Sequence, residues 1–254
     1  MPGHIQSIER AAAILRLLSG RARRLGVVDL AGELALPKGT VHGLLRTLQM
    51  VGFVEQDAET GKYQLGAALL HMGSSYLDGN ELRARALNWS DSLAARANEA
   101  VRIATLHDSQ VLIVHHVFRP DDTLQSLDVG SLLPAHATAL GKVLLAHHPY
   151  VGSELSRREL VAFTHATITD HAALDREFAR VREQGWSAEI GELFPQQMSI
   201  AAPIKDRRGL VVGAIGIFGG PERMLNRRKP RNDLVGYVLE AGRAVSRELG
   251  ALPW

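Results

Sequence analysis

The chain has 254 residues, of which 46% are hydrophobic and 22% charged, the profile of one large or two smaller globular domains. Its 29 Lys and Arg against 27 Asp and Glu leave a formal charge of +2, too little to require a polyanionic partner. The absence of cysteine excludes disulfides, iron–sulfur clusters, thiolate zinc sites and a cysteine nucleophile. No apolar run reaches the ~20 residues of a bilayer span, and residues 1–6 lack an export signal, so a cytoplasmic protein with no membrane partner is expected.

Residues 7–19 place Ile8, Ala11, Ala12, Leu15 and Leu18 at helical spacing, with Ser7 positioned to cap the helix and Gly20 to end it. An arginine-rich surface loop over 21–25 follows, then a short helix over about 28–34. Leu36-Pro37 turns the chain into a third helix, whose first position suits Pro37. Val41, Leu44, Leu45 and Leu48 form its i, i+3, i+4, i+7 stripe, and Gly52 ends it. Strand-like stretches at 53–56 and 63–65, joined by the turn-rich segment 57–62, read as a hairpin. Three helices and a hairpin within residues 1–65 make a winged helix-turn-helix pattern.

Opposite the apolar stripe of the third helix lie Gly39, His42, Gly43 and Arg46, with Lys38 and Thr40 near its start. Glycine in an exposed helix interior costs ~1 kcal/mol relative to alanine, so two on one face need a reason. Close approach to another surface supplies one. Arg46 can reach a guanine edge or a phosphate, and His42 can donate to either. Between residues 21 and 46, five cations (Arg21, Arg23, Arg24, Lys38, Arg46) stand against two acids (Asp29, Glu33). Arg21, Arg23, Arg24 and Lys62 flank the helix and could grip the backbone of double-stranded DNA on both sides. The competing reading is a structural three-helix module that binds protein or nothing. A second basic cluster, Arg223, Arg227, Arg228, Lys229 and Arg231, reads equally well as solvated surface.

Residues 66–79 form an apolar-striped helix, compatible with a linker between domains and with a simple packing helix. Beyond it the pattern predicts a helix over 81–98, then strands at 101–107 and 111–118 about a turn at 108–110. A further strand is expected near 123–128, and helices near 138–147 and 172–184. Strands near 186–190, 199–204 and 210–217 precede a closing helix at 232–249. Strand pairs separated by turns, with helices at intervals, predict an antiparallel α/β (α+β) sensor fold. The expected division is therefore 1–65, 66–79 and 80–254.

Catalytic motifs are absent: there is no Gly-x-Ser-x-Gly elbow, no Gly-x-x-x-x-Gly-Lys-Ser/Thr loop and no Gly-x-Gly-x-x-Gly turn. Gly213, Gly216, Gly219 and Gly220 fit a strand and its exit turn better than a cofactor loop. No His-Glu-x-x-His pair occurs among the 11 histidines. His147 and His148, at a helix end, read as solvated. His115 and His116 are strand neighbours and point to opposite faces, so one of them is a candidate for a pocket wall. No enzyme activity, cofactor or metal is expected. His136 and Thr138 lie where a helix begins, and the backbone N–H groups of a helix start suit a carboxylate or phosphate. The alternative is that both merely cap the helix.

These stretches carry a family resemblance. The segments Ile5-Gln6-Ser7-Ile8-Glu9-Arg10-Ala11, Leu36-Pro37-Lys38-Gly39-Thr40-Val41-His42-Gly43-Leu44-Leu45-Arg46-Thr47-Leu48 and Gly61-Lys62-Tyr63-Gln64-Leu65-Gly66 resemble IclR-type transcriptional regulators. So do Pro134-Ala135-His136-Ala137-Thr138-Ala139-Leu140-Gly141-Lys142, Phe163-Thr164-His165-Ala166-Thr167-Ile168, Ser199-Ile200-Ala201-Ala202-Pro203-Ile204 and Gly213-Ala214-Ile215-Gly216-Ile217. The resemblance spans nearly the whole chain. It implies a DNA-binding winged helix, an information-carrying linker helix and a GAF-like effector-binding domain. It also implies homodimers through the N-terminal domains and often homotetramers through the C-terminal ones. Carried over by motif, it adds Ala135, Ala139, Glu189, Gln197 and Ser199 to His136 and Thr138 as effector-lining residues. In that set Glu189 would hold hydroxyl groups, and Ser199 a hydroxyl or an anion. Within the family, residues 52–56 and 113–122 look most similar to regulators of glycerol operons. That implies an operator-binding repressor with glycerol 3-phosphate, glycerol or a small hydroxy acid as effector. Family members commonly carry Ser at the position of Gly39 and Arg at that of Gly43. Loss of both side chains implies a different operator or a greater reliance on DNA shape.

Overall fold

Ile14, Leu30, Val41, Leu45 and Val54 have no exposed surface, and together with Leu18 and Tyr63 they form the core of an N-terminal unit. The computed structural model describes residues 4–20, 24–121, 125–148 and 159–252, and the chain divides into two compact units, Met1–Gly79 and Asn80–Trp254. The first unit runs α1 (Gln6–Leu18), α2 (Val27–Glu33), α3 (Lys38–Met50), β1 (Val54–Gln56), β2 (Tyr63–Leu65) and α4 (Ala67–Asp78).

The helix starts differ from expectation in instructive ways. Helix α1 is capped by the backbone of Ile5, whose carbonyl accepts from Ile8 and Glu9 N–H, so Ser7 is already inside the first turn and caps nothing. Its buried residues are Ile14 and Leu18, while Ile8 is exposed. Ala11 and Leu15 sit at the edge of the core, so the buried face is rotated from the predicted stripe. Pro37 is the N-cap of α3, with φ −58° and ψ 139°, rather than its first helical residue. Asp29 accepts the Gly26 N–H at 2.9 Å and closes the start of α2. The hairpin pairs Val54 with Leu65 and Gln56 with Tyr63, and Asp57 Oδ1 accepts the N–H groups of Glu59 and Thr60 to shape its turn. Helix α4 clusters with this first unit but buries no residue, and Leu70, Met72 and Tyr76 are exposed on it.

The second unit contains α5 (Glu81–Ala97), β3 (Ala100–His107), β4 (Gln110–Val117), β5 (Leu132–Pro134), α6 (Ala139–His147) and α7 (His171–Gln184). It continues with β6 (Ser187–Ile190), β7 (Met198–Lys205), β8 (Val211–Gly219), α8 (Pro221–Met224), β9 (Leu225–Asn226), β10 (Lys229–Pro230) and α9 (Asn232–Glu248). Six strands form one antiparallel sheet in the order β5-β4-β3-β8-β7-β6. Alternation along the strands builds two cores. Ala201 and Ala214 face α6 and α7, packing with Leu145, Leu174 and Phe178. Their neighbours Ala202 and Ile215 face α9, where a Cβ on Gly242 would lie 3.2 Å from Ala202 and 2.9 Å from the Pro203 carbonyl. Glycine at 242 lets that helix lie close on the sheet.

Two expectations fail here. Residues 125–128 are not a strand, and 122–124 lie outside the described residues. The edge position beside β4 is taken by β5, which pairs Gln110 with Pro134 and Leu112 with Leu132. Residues 125–128 are held by side chains instead: Gln125 bonds the Arg119 backbone in both directions, and the Asp128 N–H donates to His116 Nδ1 at 3.1 Å. The second is His147, which is half-buried, with its Nδ1 2.9 Å from the Val143 carbonyl, and burial pulls its pKa down. The β9–β10 hairpin was not anticipated. Its turn holds Arg227 and Arg228 at φ +48° and +66°. Part of the second basic cluster is neutralised within the chain, Arg223 by Glu99 at 2.7 Å and Arg231 by Asp233 at 2.6 Å.

Candidate functional sites

Helix α3 presents two chemically distinct faces. Val41, Leu45 and Leu48 are buried, whereas Lys38, Gly39, His42, Gly43 and Arg46 are exposed and Thr40 is half-buried. The side chains of Lys38, His42, Arg46 and, in the hairpin turn, exposed Lys62 make no hydrogen bond or ion pair among the described residues. A Cβ added at Gly39 or Gly43 would meet nothing within 4 Å, so no neighbour in this unit requires glycine at either position. Thr47, on the same exposed side, donates to the Gly43 carbonyl at 3.1 Å and was not anticipated. Arg24 is partly committed: its guanidinium holds Gln64 Oε1 at 3.0 Å and Asp57 Oδ2 at 2.9 Å, tying the loop before α2 to the hairpin. Arg21 and Arg23 lie outside the described residues. The face offers uncommitted donors on a rigid helix, the chemistry needed to meet phosphates and base edges.

The second site is built by strand register. Arg102 on β3 pairs with His116 on β4 and Gly216 on β8, and Gly216 pairs with Ala201 on β7. One row further, Phe218 pairs with Ser199, and Ser199 with Glu189. A period of two puts all these residues on the α6 side of the sheet. There Arg102, Glu189, Gln197, Ser199 and Phe218, with Thr138 from the start of α6, line an enclosed cavity. Its free volume is only about 10 Å³, near the lower limit for a single water.

Thr138, Glu189, Ser199 and Arg102 are each fixed by a partner. Thr138 is the N-cap of α6, its Oγ1 accepting the Gly141 N–H at 3.2 Å and donating to the Pro134 carbonyl at 3.1 Å. Gly141 permits this turn, since a Cβ there would lie 2.1 Å from the Ala135 carbonyl oxygen. Glu189 accepts the Ser199 hydroxyl at 2.8 Å and the Glu192 N–H at 3.1 Å, and burial raises its pKa above the usual carboxylate range. The turn after Glu189 is anchored from α6 by Lys142, whose buried ammonium pairs with the Glu192 carboxylate. Thr167 Oγ1 donates to the Glu192 carbonyl at 2.6 Å. Arg102 donates from Nε and Nη2 to Asp128 Oδ2 at 2.8 and 2.5 Å and lies 3.4 Å from the Phe218 ring centroid. Burial lowers the pKa of Arg102, against the raising influence of Asp128.

Of the residues proposed from sequence for this pocket, Thr138, Glu189, Gln197 and Ser199 line it, and Ala135, His136 and Ala139 do not. The His136 ring turns away, its Nε2 lying 3.0 Å from the Val161 carbonyl and its face near Phe163. His116 is on the cavity side of the sheet but sealed between Phe118 and Phe218, and His115 lies on the opposite side. Sequence reasoning passed over Arg102, Asp128 and Phe218. The one signal for Arg102 was an isolated charge within an otherwise apolar strand.

A helix face free to meet DNA, joined in one chain to an α/β domain with an enclosed, largely apolar cavity that carries a few fixed polar groups, defines the class of ligand-responsive transcriptional regulators. Family models agree across both units. Residues 7–58 match the IclR helix-turn-helix domain, and residues 74–247 match the bacterial transcriptional regulator IclR C-terminal domain. The chain belongs to the IclR family. It is 52% identical to the glycerol operon regulatory protein of Streptomyces coelicolor, over 99% of both chains. Among solved structures, the IclR transcriptional regulator of Alicyclobacillus acidocaldarius matches with a TM-score of 0.83 and 26% identity, covering 98% of this chain and 100% of that one. An IclR homologue from Microbacterium hydrocarbonoxydans complexed with 4-hydroxybenzoate matches with a TM-score of 0.81 and 25% identity, covering 96% and 99%. These matches are to transcriptional regulators, not enzymes.

Proposed function

We propose that this protein is a cytoplasmic repressor of a glycerol catabolic operon, released from its operator by glycerol 3-phosphate, glycerol or a small hydroxy acid. The observation that carries this reading is the 52% identity, over 99% of both chains, to a glycerol operon regulatory protein. The cavity chemistry supports it. Glu189 and Gln197 suit the hydroxyls of a polyol, and Thr138 and Ser199 suit its polar ends. In the DNA-bound form α3 enters the major groove. Arg46 and His42 read base edges, while Lys38, Thr40, Lys62, Arg24 and the neighbouring Arg21 and Arg23 hold phosphates. Gly39 and Gly43 let the helix backbone come close to the duplex. Residues 66–79 link the DNA-reading domain to the effector domain at 80–254. The protein acts as a homodimer or homotetramer, because a repressor reading a two-fold operator needs two such helices about one helical turn apart. An effector relieves repression only by binding one arrangement of the paired helices more tightly than the other.

The test combines two titrations. Trp186 lies three residues before Glu189, so its emission reports on the cavity wall, and none of the three tryptophans lies in the first unit. Glycerol 3-phosphate or glycerol is expected to change this emission saturably and to release operator DNA over the same concentration range. By linkage, operator DNA must weaken the ligand by the same factor. Ligands that neither alter emission nor release DNA remove glycerol metabolism as the input.

A further inference from the structure

Among the groups lining the cavity, Arg102 stands apart in charge and in the origin of its partner. Thr138 and Ser199 are bonded to neighbours on the sheet or on α6 and Glu189 also to the turn that follows its own strand, whereas Arg102 is neutralised by Asp128, from the non-strand segment between β4 and β5. Both described bonds go to one oxygen, Asp128 Oδ2, and Arg102 Nη1 makes no hydrogen bond among the described residues. The guanidinium plane is pinned on Phe218, so its donors are aimed without further loss of side-chain freedom.

The free volume of about 10 Å³ admits no polyol, so a ligand enters only by displacing a lining group or by taking the place of a lining group's partner. Displacement is least costly where the ligand replaces the interaction it breaks. Hydrophobic walls offer no such exchange, and at the Ser199 hydroxyl an anion would have to displace Glu189, which is buried and has no route to water. The Arg102–Asp128 pair does: a phosphate or carboxylate presents the same oxygens to the same fork of N–H donors. Freed Asp128 is already 24% exposed on its side chain and can return to water.

We propose that Arg102 is the specificity-determining residue of this cavity, and that Asp128 is a built-in counter-ion which the anionic end of a small polyol displaces. The inference rests on the effector-cavity reading above and deepens it. The ligand class is an anion at one end, held by Arg102 beside the N-terminus of α6, and hydroxyl donors at the other, facing Glu189. Glu189 repels an anion placed near it, so the ligand has one orientation. Displacement frees the Asp128 side chain from Arg102, while the segment keeps its bonds to His116, to the Ile113 backbone through Gly130 and Ser131, and to the Arg119 backbone through Gln125. Ligand recognition is thereby coupled to rearrangement of a connection on the rim of the domain.

The experiment is calorimetric titration of the full chain with glycerol, glycerol 3-phosphate and glycerate. The last two separate a phosphate from a carboxylate as the anionic end. The parent is expected to bind at least one anion about tenfold or more tightly than glycerol. Arg102→Gln should bring the anion-to-glycerol ratio close to one. Arg102→Lys should restore part of the ratio, because it keeps the charge but loses the fork. Asp128→Asn should raise the anion-to-glycerol ratio above the parent's, an outcome that a merely structural ion pair would not produce. Circular dichroism confirms folding of each variant, and should Arg102→Gln fail to fold, the Lys and Asn variants decide the matter. Asp128→Asn weakening the anion, or Arg102→Lys keeping the full ratio, overturns the proposal. Glycerol binding the parent as tightly as both anions also overturns it but leaves the glycerol reading standing. No binding by any of the three ligands removes both.

Discussion

The two candidate sites are made in opposite ways. The face of α3 comes from one continuous stretch, in which residues three and four apart sort themselves into a buried stripe and an exposed one. The cavity draws Arg102, Thr138, Glu189, Gln197, Ser199 and Phe218 from separate strands and connections across more than half of the second unit, and Arg102 takes its counter-ion, Asp128, from a further connection. A local site depends on one helix being present and docked. A distributed one depends on every strand being in register, since a slip of one residue turns a side chain to the other face. The family can therefore change its operator contacts by single exposed substitutions on a helix. Changing the ligand requires replacing groups whose partners lie elsewhere in the chain.

The largest expected effect would break the comparison at its root. Leu45 has no exposed surface, and Leu45→Ala should cost the first unit about 2–5 kcal/mol through lost burial and a residual cavity. Operator binding should fall with it, while the ligand response of Trp186 emission persists at temperatures where the first unit has melted. Helical circular dichroism recorded beside tryptophan emission tests this. A single shared transition would show that the units do not respond separately.

An intermediate effect concerns the exposed face alone. Arg46→Ala should weaken operator binding by about 1–3 kcal/mol and relax specificity at one base position, with no change in melting. Gly43→Ala, at a position with open space around its Cβ, should raise stability by up to ~1 kcal/mol yet reduce operator affinity. Stability and affinity would move in opposite directions. Melting curves read beside binding isotherms on specific and random duplexes check both variants. An alanine variant at position 43 that binds as well as the parent removes the close-approach argument.

The smallest effect sharpens the contrast from the cavity side. Burial raises the pKa of Glu189 above the ordinary glutamate value of 4.5, so between those values the folded chain holds more protons than the unfolded one. The corresponding stability is fully present below about pH 4.5 and is lost as pH rises through the raised value. Glu189→Gln should flatten that decline without abolishing it, because burial raises Glu192 in the same direction. Denaturant midpoints measured from acid to neutral pH supply the test. A variant whose stability falls as steeply as the parent's would assign the decline to other groups.

Most of the element order could be read in advance because it rests on periodicities of 3.6 and 2, which are local. The hairpin strands and helices α3 and α6 fall within a residue or two of expectation. The misses share a cause. Ser7 and His136 were placed by nearness in sequence to a helix start, but a cap requires a particular backbone atom in reach, and Ile5 and Thr138 hold those positions. Residues 125–128, the described part of the strand expected near 123–128, have no free neighbour, because β5 takes the edge of β4. Lys142 lay inside a recognised motif with no sign that its ammonium would be buried against Glu192, 50 residues on.

By itself the sequence determined that two units exist, that the first carries a helix with one apolar and one polar basic face, and that the second alternates strands and helices. Those features follow from the order of side chains along a few turns or one strand. Only the tertiary structure decided which charges meet. Arg102 finds Asp128 because two strands and a long connection bring them together, and Glu189 faces Ser199 because β6 and β7 pair in one register and not the next. Register is set by the packing of the whole sheet against its helices, a sum over distant contacts that no local window of sequence contains.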